Sequence, residues 1–184
     1  MTKDKNRPKE TKVRTPSKRN KFIALGVIAA IIAGAAYAVY RSDSTVDSNY
    51  ASIDDIPCET QEYVTYHIHA HLDIFVDTQH IPIPAQIGIK PNECLYWLHT
   101  HTSDGVIHME SPKERDFTVG QFFKVWKTTT GGYPMNSVSE IFVNGNLVNT
   151  NLNDTLMKAH DEIAVVYGDV PPNIPKSYQF PEGD

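Results

Sequence analysis

Cysteine is scarce in this chain of 184 residues, which contains only Cys58 and Cys94. Their spacing excludes the zinc folds that are built on pairs of closely spaced cysteines. The sequence also contains no Gly-rich phosphate-binding loop and no motif for an activated serine nucleophile. These absences argue against the common nucleotide-binding and serine-hydrolase classes.

The two cysteines form an even count, which in an oxidising compartment favours a disulfide between Cys58 and Cys94. Such a bond closes a loop of roughly 36 residues and stabilises the fold by roughly 3–4 kcal/mol. The alternative is that the two thiolates bind a soft metal ion. The spacing favours the disulfide, because it matches no known zinc-binding pattern.

Charge is absent from residues 22–40, FIALGVIAAIIAGAAYAVY. As a helix this run spans roughly 28 Å, which predicts a single transmembrane helix. Residues 1–21 hold nine Lys/Arg against two acidic residues, for a net charge of +7, whereas residues 41–184 carry −12. The positive-inside rule therefore places the N-terminus in the cytoplasm and residues 41–184 outside. A cleaved signal peptide ending near Ala36-Tyr37-Ala38 is the alternative, and it also exports the domain.

This segment divides the chain into five predicted parts. We expect a basic cytoplasmic tail (1–21), a transmembrane helix (22–40), a polar stalk (41–57), an exported β domain (58–168) and a Pro-rich irregular tail (169–184). The lipid bilayer is the predicted partner of residues 22–40, and a second membrane protein is a candidate partner. The basic tail is interpreted as a membrane-proximal segment, so no nucleic-acid partner is predicted.

Strict alternation of apolar residues from Tyr66 to Val76 predicts a half-buried strand. A second alternating run, Ile81 to Ile89, follows, and a two-residue turn at Thr78-Gln79 would pair Val76 with Ile81. Residues 94–102 form a third strand candidate.

A helix is predicted downstream, over residues 119–128. Thr118 and Gln121 form a capping-box pattern before an aromatic stripe at helical spacing, and two glycines end the pattern at 131–132. The predicted fold class is therefore α+β and β-rich, an antiparallel-sheet domain with one short helix.

The segment SEIFVNGNLVN, followed by a loop and then by DEIAVVYG, has a strand–turn–strand–loop–strand pattern with a turn at Asn144-Gly145. Over residues 138–168 this order resembles the closing half of a β-grasp domain. The resemblance implies a fold and carries no activity with it.

Six of the eight histidines fall in two stretches, HIHAHLDIF (67–75) and LHTHTSDGVIHME (98–110). All lie on the parity opposite to the apolar residues, so they share one face of their strands. A two-residue turn at Asp104-Gly105 would place His101 opposite His108 and His99 opposite Glu110. If the two stretches meet, their rings converge on a metal ion. The predicted ligands are His67, His69, His71, Asp73, His99, His101, His108 and Glu110.

Imidazole ligands favour zinc or copper among the biological metals. The sequence thus predicts a membrane-anchored, extracytoplasmic protein that binds copper or zinc, for metal handling or in support of a membrane enzyme. One alternative is a hydrolase or hydratase with a zinc-activated water and Glu110 or Asp73 as base. The other is an interaction module whose histidines respond to pH. Binding is favoured over catalysis.

Overall fold

The computed structural model describes residues 30–35, 37, 50–132 and 138–182. The chain divides into two compact units, Met1–Asp47 and Ser48–Asp184. In the first unit, residues 30–35 and 37 are helical. Within the described residues, no helix combines the length and apolar character needed to cross a membrane. Most of the predicted transmembrane segment 22–40 lies outside the described residues.

The described part of the second unit is rich in β-structure and contains one helix, α1, at Val119–Thr130. This agrees with the predicted α+β, β-rich class. The strands are β1 (Cys58–Glu59), β2 (Tyr66–Val76), β3 (Gln79–Ile81), β4 (Ile89–Lys90), β5 (Cys94–Tyr96), β6 (Leu98–His99), β7 (Val106–Ser111), β8 (Phe117–Thr118), β9 (Glu140–Val143), β10 (Asn146–Val148), β11 (Leu156–Met157) and β12 (Glu162–Tyr167).

The main sheet is built around β2, the long alternating strand. Its order is β10-β9-β12-β2-β7-β6, with β3 paired to the far end of β2. Strand β7 runs antiparallel to the first half of β2, and β12 runs parallel to its second half. The sheet is therefore mixed, whereas the sequence predicted only antiparallel pairing.

Alternation divides this sheet into two faces. One face is apolar: Ile68, Leu72 and Ile74 of β2 pack in the core with Phe122 and Trp126 of α1. The other face of β2 carries the histidines. Burial of the first face determines which residues of β2 point to each side of the sheet. The histidines alternate with the apolar residues, so they lie together on the second face.

Helix α1 begins where the sequence predicted. Thr118 accepts a hydrogen bond from the Gln121 backbone, and the Gln121 side chain accepts one from the Thr118 backbone. This capping box satisfies two donors that would otherwise lack partners at the helix start. The helix ends at Gly131, which has a left-handed φ of 85° and closes the last turn.

The predicted disulfide is confirmed. Cys58 and Cys94 are bonded, with their Cα atoms 5.4 Å apart. The bond lies in a small sheet of order β1-β5-β4 and joins its first two strands. The alternative of metal-binding thiolates is thereby wrong for both cysteines.

The first hairpin differs in register from its prediction. Its turn is Asp77-Thr78, with φ of 46° and 70°, and Val76 pairs with Gln79. The shift is two residues, so every side chain keeps its predicted face. The second strand ends at Ile81, well short of the predicted Ile89. The cause is Pro82 with Pro84, because proline has no N–H for the ladder.

The second hairpin also has a shifted register. His99, not His101, lies opposite His108, and residues 100–105 form a wide loop in place of a two-residue turn. The predicted strand 94–102 is divided at Trp97 into β5 and β6, which belong to different sheets. The predicted pairing of His99 with Glu110 is therefore wrong, although both remain on the same face.

Two segments that the sequence placed outside the β domain, the stalk and the Pro-rich tail, pack against it. Within the predicted stalk, Ile53 pairs with Ile56, and Ile56 is fully buried in the core. The folded unit thus begins upstream of Cys58. In the Pro-rich tail, residues 169–182 form no strand or helix, as predicted, but Tyr178 stacks on His71.

Residues 138–168 contain the predicted order of elements: β9, a turn at Asn144-Gly145, β10, a loop with β11, and β12. Asn144 and Gly145 both have positive φ, 53° and 73°, as a tight two-residue hairpin turn requires.

Candidate metal centre

Three neighbouring strands and the loop after β6 bring five histidines to one point on the polar face. In register, His69 of β2 lies opposite His108 of β7, which lies opposite His99 of β6. Glu110 of β7 lies opposite His67. We call this group, together with His101 and Glu62, the histidine cluster. Its members are His67, His69, His99, His101, His108, Glu110 and Glu62.

The imidazole nitrogens approach each other at the spacing of ligands on one ion. Nε2 of His67 and Nε2 of His69 lie 3.1 Å and 3.0 Å from Nδ1 of His108. Nε2 of His99 lies 3.2 Å from Nε2 of His101. Nitrogens bound at about 2.0–2.1 Å to a tetrahedral zinc ion lie roughly 3.3 Å apart. The two triads, His67–His69–His108 and His99–His101–His108, each have all donor atoms within 4.8 Å.

Nδ1 of His108 is the centre of this arrangement. A neutral ring nitrogen carries either one proton or one lone pair, so it forms one good hydrogen bond. Two other nitrogens, from His67 and His69, nevertheless approach it within hydrogen-bonding distance. A metal ion could lie among the three nitrogens and accept a lone pair from each of them.

His99 is oriented from behind by the backbone. Its Nδ1–H donates to the carbonyl oxygen of Tyr96 at 2.9 Å. Because a carbonyl can only accept, this bond fixes the tautomer and leaves the Nε2 lone pair directed into the cluster. Metal-binding histidines are commonly held by such a bond at their second nitrogen.

Glu110 supplies a buried carboxylate, 1% exposed, between the two histidine triads. Its Oε2 accepts the backbone N–H of Tyr63 at 2.8 Å. Its Oε1 lies 3.4 Å from Nε2 of His67 and 3.8 Å from Nε2 of His99. Oε1 has no hydrogen-bond partner among the described residues, and burial of an unpaired carboxylate oxygen is costly. A bound cation would remove this cost.

Burial shifts the protonation of the cluster. Desolvation lowers the pKa of His99 to about 3; the bond to Tyr96 opposes this shift, and repulsion from neighbouring histidines adds to it. Desolvation, then repulsion from His99 and His69, lowers the pKa of His108 to about 2. Desolvation raises the pKa of Glu110 to about 7. His99 and His108 are therefore neutral well below pH 6, which is the form that binds metal.

The rim of the cluster is open to solvent. His101 and Glu62 have side chains 41% and 43% exposed, with Nε2 of His101 3.1 Å from Oε1 of Glu62. Glu62 is not among the ligands predicted from the sequence, because it lies before β2 in a segment without periodicity. Glu62, His99 and Glu110 have donor atoms within 4.8 Å of one another.

The structure brings six of the eight predicted ligands into the cluster: His67, His69, His99, His101, His108 and Glu110. His71 and Asp73 are placed apart, in a second group with Glu162. The reason is their position along β2, because β12, on the side of β2 opposite to β7, pairs with it from His71 onward and brings Glu162 beside His71.

The donor set suits zinc or copper, because imidazoles dominate it. The cysteines are joined to each other, and Met109 lies in the apolar core, so none of these three residues offers sulfur to an ion. No protein-family model, curated protein or solved structure matches this chain. The geometry of the site thus carries the functional argument.

Proposed function

We propose that this protein binds one divalent copper or zinc ion in the histidine cluster, on a domain held outside the cell membrane by residues 22–40. The convergence of five imidazoles on one face of the sheet supports the binding. The disulfide supports export, because such bonds persist mainly in oxidising compartments.

Metal handling fits the cluster better than a closed structural site. A structural zinc site uses four ligands and excludes water. Here the two histidine triads overlap at His108, and the exposed side chain of His101 lies at the rim. An ion can therefore enter at the rim and exchange ligands stepwise, as delivery to a membrane enzyme requires.

A metal-dependent hydrolase is the second candidate, and one observation favours it. Oε1 of Glu110 has no hydrogen-bond partner in the described part of the chain and lies 3.4 Å from Nε2 of His67. A carboxylate beside a metal-bound water can act as a general base. The cavity of about 580 Å³ in this domain lies elsewhere, lined by residues 138–141 and 147–153.

The proposal is tested with the full-length chain, expressed without a histidine tag and given one equivalent of Cu²⁺. We expect an electron paramagnetic resonance spectrum with splitting from several imidazole nitrogens. The variant His99→Ala/His101→Ala/His108→Ala should lose that splitting, because it removes a complete triad. The matched control is His80→Ala/His160→Ala, which alters the two histidines outside both groups and should keep the spectrum.

His99 is fully buried, so the triple variant requires a second measure against loss of folding. His101→Ala alone changes an exposed side chain and should weaken Cu²⁺ binding about tenfold, the equivalent of roughly 1.4 kcal/mol. An unchanged spectrum in the triple variant would refute the assignment. Zn²⁺-dependent ester hydrolysis that disappears in Glu110→Gln would favour the enzyme.

A further inference from the structure

A second group of metal-binding side chains lies next to the histidine cluster and shares no residue with it. Donor atoms of His71, Asp73 and Glu162 all lie within 4.8 Å of one another. His71 and Asp73 are alternate residues of β2, and Glu162 of β12 is the parallel partner of His71. The donor atom of His69 lies with those of His67 and His108, whereas the donor atom of His71 lies with those of Asp73 and Glu162, so the two histidines belong to different groups.

The imidazole of His71 is fixed on three sides. Its Nε2–H donates to the carbonyl oxygen of Asp104 at 2.8 Å, and its Nδ1 lies 2.8 Å from Oε2 of Glu162. The ring stacks on Tyr178, with centroids 3.8 Å apart and planes at 6°. Because the carbonyl can only accept, Nδ1 is the nitrogen that points into the group.

Glu162 carries an unsatisfied oxygen at this point. The residue is 1% exposed, and its Oε1 has no hydrogen-bond partner within the described ranges. Removing a carboxylate oxygen from water without a partner is costly. The observation parallels the unsatisfied Oε1 of Glu110 in the histidine cluster, and in both places a cation would supply the missing partner.

The second carboxylate adds charge at the same place. Asp73 accepts a hydrogen bond at 2.7 Å from Nε2 of His80, and its side chain is 13% exposed. A divalent cation that displaces the proton between His71 and Glu162 would leave a neutral imidazole beside two carboxylates, whose formal charge of −2 it would balance. His80 is 51% exposed, so the side of Asp73 provides a route from solvent.

We propose that His71, Asp73 and Glu162 form a second divalent-cation site, distinct from the histidine cluster. One imidazole and two carboxylates make a harder donor set than five imidazoles, suited to zinc or manganese rather than copper. The tail residue Tyr178 covers the His71 side of this site. The protein then holds two ions on one face of its sheet, at two sites that prefer different metals.

The test uses the full-length chain without a tag and counts bound Zn²⁺ by titration against a chromophoric chelator. The wild type should bind two equivalents, and Glu162→Gln should bind one. Asp73→Asn is the second variant, because Asp73 is partly exposed and the asparagine side chain keeps the shape of aspartate. Asp169→Asn, an exposed change of the same kind, is the matched control and should bind two.

The His99→Ala/His101→Ala/His108→Ala variant distinguishes Zn²⁺ binding at the second site from Zn²⁺ binding at the histidine cluster. It should retain one Zn²⁺, and adding Glu162→Gln should remove that ion. A different result is that the wild type binds one Zn²⁺, which is lost in the histidine variant and kept in Glu162→Gln. That result would overturn the second site and leave the proposed function intact. The reverse pattern would overturn the proposed function and uphold the second site.

Discussion

Burial determines the proton balance of single residues in the histidine cluster. His99 and His108 have pKa values lowered from 6.5 to about 3 and about 2, chiefly by desolvation. In the unfolded chain both take up protons below about pH 6.5. The unfolded state therefore binds more protons than the folded state, and acid should destabilise the metal-free protein.

Glu110 acts in the opposite direction. Its pKa is raised from 4.5 to about 7, so its contribution to stability is complete below pH 4.5 and is lost as the pH rises through 7. Between pH 4.5 and 6.5 two histidines oppose one carboxyl group. The net effect is that of one group, and stability falls with decreasing pH.

We therefore predict that His99, His108 and Glu110 together lower the free energy of unfolding of the metal-free protein by roughly 1.4 kcal/mol per pH unit between pH 6 and 5. Urea unfolding at pH 7, 6 and 5 in the presence of chelator measures it. His99→Gln/His108→Gln should reverse this slope, because Glu110 is then the one remaining group of the three, while His80→Gln should keep it. Equal slopes in the wild type and the double variant would contradict the predicted proton balance.

At the scale of elements, the loop 100–105 positions one ligand of the cluster. The backbone N–H of Leu72 donates to the carbonyl oxygen of Gly105, and the His71 ring donates to that of Asp104. A Cβ atom at Gly105 would lie 2.6 Å from the carbonyl oxygen of Leu72. The close approach of β2 to this loop thus requires glycine, and the loop carries His101.

Gly105→Ala should therefore displace the loop and weaken metal binding about tenfold or more, because a misplaced His101 no longer meets the other donors. Isothermal titration with Cu²⁺ measures the change. Gly131→Ala is the matched control: its φ is also 85°, but no atom lies within 4 Å of the added Cβ. It should cost about 1 kcal/mol of stability and leave binding unchanged. Equal effects of both substitutions on binding would show that the loop contact is unimportant.

At the scale of the whole molecule, the proposed function requires that the domain be held outside the membrane. The charge-free run 22–40 and the +7 charge of residues 1–21 motivate this expectation. The disulfide agrees with it. A metal site tethered in this way would meet membrane enzymes at a short distance.

Cell fractionation tests this expectation. The full chain should pellet with membranes and resist extraction by high salt, and protease added outside intact cells should digest residues 41–184. Deletion of residues 1–40 should move the protein to the soluble fraction of a lysate. Recovery of the full chain as a soluble protein would contradict an uncleaved anchor.

The sequence by itself determined the local features: the phase of β2, the start of α1 at Thr118, the turn at Asn144-Gly145, and the cysteine pairing. The first three depend on alternation, capping and turn chemistry within a few residues. The cysteine pairing followed because each cysteine has one possible partner in the chain. The face shared by the histidines also followed, since a register shift of two residues preserves parity.

Only the tertiary structure decided which histidine belongs to which site. His71 lies two residues from His69, yet it faces Glu162, 91 residues away in sequence. That contact exists because β12 pairs in parallel with the second half of β2, while β7 pairs with the first half. Pairing between strands so distant in sequence is set by burial of the whole apolar face against α1, and no short stretch of residues encodes it.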